Sequence, residues 1–476
     1  MHVQVEVEGN LATIMRPLVQ TPPEPDENML PPEYSDDSLA REFTNIYAGR
    51  YLYVSSWGRW LYWDGARWVH DTTMQVFHSA RMVLREQSNA ILCRQAEFQA
   101  KTRGMAGAVS SARTIGNVER IARSEPRHAA AAEQFDQDQW ALNTPAGIVD
   151  LRTGAIREPK MGDFCTKVTR IAPGGECPVW MKFLDDVTAG NVEMMQYLQR
   201  VAGYALTGST QEHALFFFFG TGRNGKGTFI NTLEWIMGDY SKVASMDTFT
   251  ESRNDRHSTE LAALMGARLV TSQEVDEGKR WAEARIKSMS GGDPITARFM
   301  RQDDFTFTPQ FKLLISGNHR PGLRNVDEAM RARLHLIPFT ITVPPEKRDP
   351  NLSAKLHAEA GGILAWAIAG CKEWDRIRLA PPGVVRKATD EYFSSQDTVG
   401  MWIRDECEVH PSVRGGKTDL YRSYSRYCED AGEFVIPRRR WLDAMGLKGV
   451  KEVKVQGQRM MKGVRIKLDT GDEFGD

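Results

Sequence analysis

Residues 215–235 read LFFFFGTGRNGKGTFINTLEW. The run Leu215 to Phe219 is too short for a helix of its own and is apolar on both faces, the pattern of a strand buried inside a parallel sheet. A G-x-x-x-x-G-K loop follows from Gly220 to Lys226, and then a helical pattern. Strand, glycine-rich loop and helix in that order are the context of a phosphate-binding P-loop. Gly220, Gly222 and Gly225 let the backbone curl so that successive N–H groups point inward, and the following helix presents its positive end to the same anion. The candidates for holding ATP are therefore Gly220, Thr221, Gly222, Arg223, Asn224, Gly225, Lys226, Gly227 and Thr228, with Lys226 a point charge on the β- and γ-phosphates. One position departs from the pattern: Gly227 stands where the loop ordinarily has the Ser or Thr hydroxyl that ligates Mg²⁺. Either Thr228 supplies that hydroxyl, or the metal is held mainly by water and a carboxylate.

A P-loop ATPase next needs a strand that ends in an acid, to hold the metal and orient the attacking water. ARLVTSQE, Ala267 to Glu274, fits: Glu274 directly ends the apolar run and is the expected acid, with Asp276 and Glu277 close behind. A third strand, FKLLIS from Phe311 to Ser316, runs into Gly317-Asn318-His319. An amide there can bond both the γ-phosphate and the water, so Asn318 is the sensor candidate; a turn former beside Gly317 is the plainer reading. Between acid and sensor, Ile295 to Phe299 and Phe305 to Thr308 alternate like two strands of a hairpin. Such a hairpin projects Arg298, Arg301 or both, which are solvated on an isolated module and line the pore in a ring. DEAMRARLHLIPF, Asp327 to Phe339, sets Arg331 and Arg333 just before an apolar strand. An arginine so placed suits a finger reaching a neighbouring subunit's γ-phosphate; a surface charge pair is the alternative.

Outward from this block, Pro178 to Gly208 has helical spacing. Upstream, YLYVSSWGRWLYWDGARWVHD (Tyr51 to Asp71) carries turn signals at Gly58 and Asp64-Gly65, and Leu142 to Glu158 reads as another hairpin. Gln75 to Glu125 suits helices, with no breaker before Gly104. The tryptophans Trp57, Trp60, Trp63 and Trp68 are expected as core rather than as base-stacking platforms. Residues 1–38 mix prolines, among them Pro22, Pro23, Pro25, Pro31 and Pro32, with acids and are expected to form a flexible arm. The expected domains are then 1–38, 39–177 (mixed α+β), 178–380 (the ATPase with its parallel sheet) and 381–476. The last has helices, short β-runs and the cluster Arg438, Arg439, Arg440, which is either the DNA-facing part of a winged helix or a solvated basic patch.

The 476 residues hold 61 Lys+Arg against 62 Asp+Glu and are 41% hydrophobic. That balance excludes a polycation and disorder throughout, but it does not exclude a local basic channel. Six cysteines without a C-x-x-C pair argue against a zinc ribbon and against a disulfide framework, and a reducing cytosolic compartment fits best. MHVQVEVEGN is acidic where a signal peptide is basic, and no apolar run reaches membrane length, so neither export nor a membrane partner is expected.

The segments GTGRNGKGTF, SQEVDEGKRW, KSMSGGDPITAR, FKLLISGNHRP and DEAMRARLHLIPF, in this order, resemble the superfamily 3 helicases, AAA+ ring ATPases of viruses, phages and plasmids. The closer resemblance is to the phage/plasmid primase-helicase family that includes poxvirus-type helicases. It extends upstream through YVSSWGRWLYWDGARW and LNTPAGIVDLRTG, roughly from residue 40 to 400. The resemblance implies an AAA+ fold and assigns phosphate binding to Lys226 and Mg²⁺ and water to Glu274. It also makes Asn318 the first sensor, puts Lys287 in the DNA-contacting motif before the hairpin, and makes Arg333 the trans finger with Arg331 second. Many members have two adjacent acids; here Val275 follows Glu274, so Asp276 is a candidate to share the metal.

What is expected is an ATP- and Mg²⁺-dependent helicase, a homo-oligomeric ring of six, moving 3′ to 5′ on single-stranded and forked DNA in a bacterial host cytoplasm. Its primase or initiator partner would be a separate protein: the family's primase domain is not matched, and Asp136-x-Asp138 is a chance-level D-x-D. The rival expectations are an ATP-gated initiator or loader that assembles without unwinding, and a packaging-type motor.

Overall fold

The structure, a computed structural model, describes residues 30–94, 99–251, 257–273, 278–298, 304–323, 327–431, 433, 435–455 and 458–467. Two compact units divide the chain: one takes in the described residues up to Asp64 with Trp68–Gln134, the other Gly65–Arg67 and everything from Phe135. In the first, the Ser35 hydroxyl accepts the Ser38 N–H and starts α1 (Asp36–Tyr47), whose first turn sets Asp36 and Asp37 against the positive helix end. The expected arm therefore gives up its last residues to α1, because Leu39 and Phe43 have a core to enter. Antiparallel strands β1 (Tyr51–Val54), β2 (Arg59–Trp63) and β3 (Trp68–His70) follow, then α2 (Gln75–Arg94), α3 (Gln99–Val109), α4 (Ala112–Ala122) and β4 (Ala129–Ala130), which pairs parallel to β1. Trp60 and Trp68 are buried, and the Trp60 indole donates to Glu119 at 2.5 Å, so these two are core.

The second unit opens on β5 (Ala141–Thr144), β6 (Gly147–Asp150) and β7 (Ile156–Arg157), an antiparallel meander. Leu142, Val149 and Leu151 lie in one core with Trp180 and Phe229, so these residues pack with the parallel-sheet region, and the two compact units part near residue 135. Helices α5 (Pro178–Thr188) and α6 (Val192–Leu206) occupy the stretch with helical spacing; Ala189 and Gly190 take left-handed backbone and Asn191 caps α6, dividing the two.

The motif region is β8 (Leu215–Phe219), α7 (Lys226–Met237), β9 (Ser241–Val243), α8 (His257–Ala262), β10 (Leu269–Gln273), α9 (Glu283–Gly291), β11 (Ile295–Arg298), β12 (Asp304–Phe307), β13 (Lys312–Gly317), α10 (Glu328–Arg333) and β14 (Leu334–Pro338). Five of these strands form a parallel sheet in the order β14-β8-β13-β10-β9, while β11 and β12 pair separately as the expected hairpin. The period of two along β8 explains its composition. Phe216 and Phe218 enter the core under α5, α6 and α7, with Leu314 and Ile337; Leu215 and Phe217 enter the opposite core, with Leu313, Ile315 and Leu336. Helices α11 (Leu352–Ala358) and α12 (Ala360–Ile377) close the first face, and α13 (Gly383–Gln396) closes the second through Tyr392 and Phe393.

Two buried cations brace the far, amino-terminal end of the sheet. Arg268 donates to the carbonyls of Leu206, Asp138 and Ala141; Lys312 donates to those of Thr207, Ser209 and Gln310. Leu206 and Thr207 end α6, so the positive side chains meet the negative helix terminus. Burial holds the Lys312 amine well below its ordinary pKa. His335 on β14 is also buried; its Nδ1 shares a 2.7 Å hydrogen bond with the Tyr197 hydroxyl, and desolvation pushes its pKa down to about 4. The unfolded imidazole titrates near 6.5, so below that pH the unfolded chain binds the proton preferentially. Stability is full above ~6.5 and falls by about 2–3 kcal/mol as pH drops toward 4. Urea midpoints at neutral and acid pH are expected to show that loss in the native chain and much less of it in His335→Gln.

The C-terminal elements are α14 (Thr398–Glu406), β15 (Cys407–Gly416), α15 (Lys417–Asp430), α16 (Arg438–Leu447), β16 (Lys451–Val455) and β17 (Gln458–Ile466). Their antiparallel sheet runs β15-β17-β16 over a core of Trp402, Leu420, Tyr424, Trp441 and Val464. Among the described residues no helix is long and apolar enough to cross a membrane.

Candidate functional site

The carboxyl ends of β8, β10 and β13 open on a cavity of about 460 Å³, lined by residues 222–228 with Gln273, Ser316, Gly317 and Asn318. The loop gets there by an unusual path. Gly220 has φ 150° and passes so close to β14's end that a Cβ would sit 2.0 Å from the Phe339 carbonyl. Arg223 and Gly225 take left-handed backbone at φ 63° and 87°, which turns the chain into α7. Asn224, 2% exposed, locks the turn by donating to Phe339 O at 2.6 Å.

Lys226 is the first residue of α7 and is 7% exposed. Its ammonium donates to Gly220 O at 2.6 Å, Asn224 Oδ1 at 3.1 Å and Asn318 Oδ1 at 3.3 Å. The structure thus brings together the lysine and the sensor amide, which lie far apart in sequence. All three acceptors are neutral, and burial lowers the lysine pKa with no charge to oppose it. The N–H groups from Gly222 to Thr228 make no hydrogen bond within the described residues, as the start of a helix leaves its first donors open. A cation without a counter-charge, beside unspent donors at a helix N-terminus, is a fit for phosphate.

For the metal the described residues offer less. Thr228 lines the cavity and supplies a hydroxyl there. Glu274 and Asp276 lie outside the described residues; Gln273, just before them, lines the cavity and donates to Asn231 of α7 at 2.5 Å. A Cβ on Gly227 would meet nothing nearer than Gln273 Oε1 at 3.9 Å, so neither space nor backbone demands a glycine where the hydroxyl is ordinarily found.

Neither Arg331 nor Arg333 lines the cavity. Arg331 is anchored within its own chain, to Asp390 at 3.2 Å and over the Phe393 ring at 5.3 Å. Arg333 reaches only the carbonyl of Ala329 in its own helix, at 2.9 Å, and among the described residues it has no acidic partner. Arg298 faces Asp304 across the hairpin at 3.7 Å, both exposed, and Arg301 lies outside the described residues. Asp136 and Asp138 spend their carboxylates on the Thr166 and Trp140 N–H groups.

Lys287 lies in α9, directly before the hairpin, and has an acidic partner. It pairs with Asp327 at 2.5 Å, and Asp327 also accepts the Met330 N–H at 2.7 Å as the cap of α10. Burial alone raises the Asp327 pKa, but these bonds and the lysine charge more than reverse it. The helix before the hairpin and the helix carrying the arginines are therefore pinned to each other. Sequence reasoning missed Asp327, although an Asp three residues before Met330 is an N-cap signal. It also missed Arg320, whose guanidinium lies 5.1 Å from the Phe219 ring and 5.8 Å from that of Tyr392, and Tyr392 donates to Pro321 O.

Residues 40–189 match the family described as D5 N terminal like, and residues 218–333 match a family of unknown function, DUF5906. The chain is similar to Putative helicase L207/L206 of Acanthamoeba polyphaga mimivirus, with 25% identity over 316 residues, 61% of this chain and 33% of that protein. It is likewise similar to Putative helicase 022R of Frog virus 3 (isolate Goorha), with 25% identity over 250 residues, 48% of this chain and 26% of the relative. The matches span a third or less of the length of these relatives. Among solved structures, the apo NrS-1 C-terminal region aligns over 90% of this chain and 98% of its own, at 10% identity and a TM-score of 0.45.

Proposed function

We propose that the chain is the motor of a DNA helicase of the superfamily 3 type, an AAA+ ATPase that works as a ring, by resemblance of six subunits moving 3′ to 5′. The observation that carries this reading is the Lys226 ammonium, held by neutral oxygens alone and 3.3 Å from the Asn318 amide at the carboxyl edge of the sheet. Lys226 and the open N–H groups of the loop receive the phosphates of ATP, and Asn318 orients the attacking water. Thr228, Glu274 and Asp276 are the residues to hold Mg²⁺, which neutralises charge that builds on the phosphates. Arg333 of one subunit answers the transition-state charge in the next, and Arg298, Arg301 and Lys287 track one strand of a fork. The similarity to proteins named as viral helicases supports the same reading, and a separate primase or initiator serves it in the replicating cell's cytoplasm. On the same reading the C-terminal unit, whose three helices flank the sheet β15-β17-β16, acts as a winged helix.

Gly227 supports a second reading, in which the protein loads on DNA with ATP but separates no strands. A fork-unwinding assay with ATP and Mg²⁺ distinguishes the two: release of the labelled strand is expected from a substrate with a 3′ tail. Assembly on the fork without strand release would decide for the loader.

A further inference from the structure

Along the carboxyl half of α7, Arg170, Ser241, Lys242 and His357 border an open cleft of about 370 Å³, with the edge strand β9 and α11 among its walls. It shares no lining residue with the nucleotide cavity, and the Gln273–Asn231 bond is the step from one to the other. Arg170 is fixed there at two points. Its backbone N–H donates to Ile236 O at 3.0 Å and its Nε to Trp235 O at 3.1 Å, with the guanidinium 5.0 Å from the Trp235 ring. The His357 imidazole stacks on the same indole at 4.1 Å and 13°.

These groups are held in place but not spent. Among the described residues, the outer guanidinium nitrogens of Arg170 and the Lys242 ammonium have no acceptor. Ser241 is 9% exposed, yet its hydroxyl has no hydrogen-bond partner there either. A buried hydroxyl left unpaired lowers the stability of the free chain, and an acceptor placed in the cleft removes that cost. Nearby, burial lowers the Lys167 pKa; Asp136 opposes this and Lys242 adds to it, so cations crowd this edge. Glu234 is the one acid in the lining. One of its oxygens accepts from the Thr271 hydroxyl at 2.7 Å, and the other is open. Asn231 likewise gives Gln273 its carbonyl oxygen and keeps its amide donors.

We propose that this cleft binds the phosphate monoester of a small hydroxylated molecule, a sugar phosphate or a nucleotide built on one, at a site separate from the nucleotide cavity. Arg170 and Lys242 take the phosphate oxygens, the guanidinium as a fork and the ammonium as a point charge, and the Ser241 hydroxyl donates a further bond. Glu234 accepts from a hydroxyl of the sugar, as a carboxylate does for ribose in dinucleotide sites. The volume favours such a molecule over bare phosphate, which would leave most of the 370 Å³ to water. A polynucleotide strand fits less well, because the Trp235 ring is already taken by Arg170 and His357 and is not free to stack on bases.

The test uses the full-length native chain and Lys226→Ala, whose nucleotide loop is silenced, and titrates ribose-5-phosphate, AMP and inorganic phosphate by calorimetry without ATP. Ribose-5-phosphate is expected to bind both chains alike, and at least about tenfold tighter than inorganic phosphate. In Lys226→Ala, tighter binding of AMP than of ribose-5-phosphate supports the site as a nucleotide site, and weaker binding supports it as a sugar-phosphate site. Added to Lys226→Ala, Arg170→Gln should weaken ribose-5-phosphate at least about tenfold, the loss of one charge-assisted pair. Lys242→Gln, at an exposed position, should weaken it about threefold or more, and it stays informative should Arg170→Gln lower the melting temperature. Ser241→Ala should weaken binding while leaving the melting temperature of the free chain unchanged or raised, which loss of a hydroxyl with a structural partner would not do. Glu234→Gln should narrow the preference over inorganic phosphate. The proposal is overturned by no binding of ribose-5-phosphate to Lys226→Ala, by inorganic phosphate binding as tightly, or by native affinity in both Arg170→Gln and Lys242→Gln.

Discussion

Arg333→Ala is expected to lower ATP hydrolysis by about 10³-fold or more, since a finger supplied in trans contributes on the order of 10³–10⁵ in rate. In the proposed ring, binding of ATP should survive, because the residues assigned to the phosphates belong to the other side of the seam. The structure separates this arginine from its neighbour: Arg331 is committed to Asp390 and Phe393, whereas Arg333 is held only to its own helix. Arg331→Ala should therefore cost less in hydrolysis. The decisive measurement is mixing. Combined with Lys226→Ala, the Arg333→Ala chain should recover part of the activity, because some seams then pair an intact lysine from one copy with an intact arginine from the other. Full activity of Arg333→Ala alone would remove the residue from the reaction, and mixtures as dead as their components would argue for action within one chain.

Lys226→Ala should abolish measurable nucleotide binding as well as turnover, with a loss of at least about 10²-fold, the scale of one preorganised charge donor. Lys226→Arg is expected to rescue little: Gly220 O, Asn224 and Asn318 converge on a compact ammonium, and a planar guanidinium presents its donors elsewhere. The pH dependence has a definite sign. Burial lowers the lysine pKa, while phosphate favours its charged form, so ATP affinity in the native chain should fall as pH rises through the lowered value. Fluorescent-nucleotide titrations along an alkaline series test this, and the alanine variant should lack that limb.

The glycine-rich loop and its strand were legible because each of their features is local. A strand buried on both faces reads as a continuous apolar run, and Phe216, Phe217 and Phe218 are indeed wholly buried between two cores. The hairpin was legible from alternation, with Ile295 and Ala297 inward and Thr296 and Arg298 outward. What sequence could not supply was partnership at a distance. Lys312 and Arg268 look like ordinary solvated charges until the end of α6 is laid beneath them, and no local pattern joins Lys287 to Asp327. Breakers misled in both directions. Gly104 lies inside α3, where a Cβ would meet nothing, so only its propensity cost applies, whereas the turn that splits α5 from α6 is made by a left-handed Ala189 and by Gly190-Asn191, a stop-and-cap pair inside the helical spacing. The boundary near residue 135 was invisible because the β5–β6 meander is polar enough to pass for part of an independent module, and only its contacts place Leu142 and Val149 in the larger core.

The bond between Lys287 and Asp327 makes two levers share a single fulcrum. One carries the hairpin and the other the arginines, and by thermodynamic reciprocity a force that tips either one is felt by its twin. Whatever grips the first will thus have a voice in how readily the second swings, with no further machinery between them.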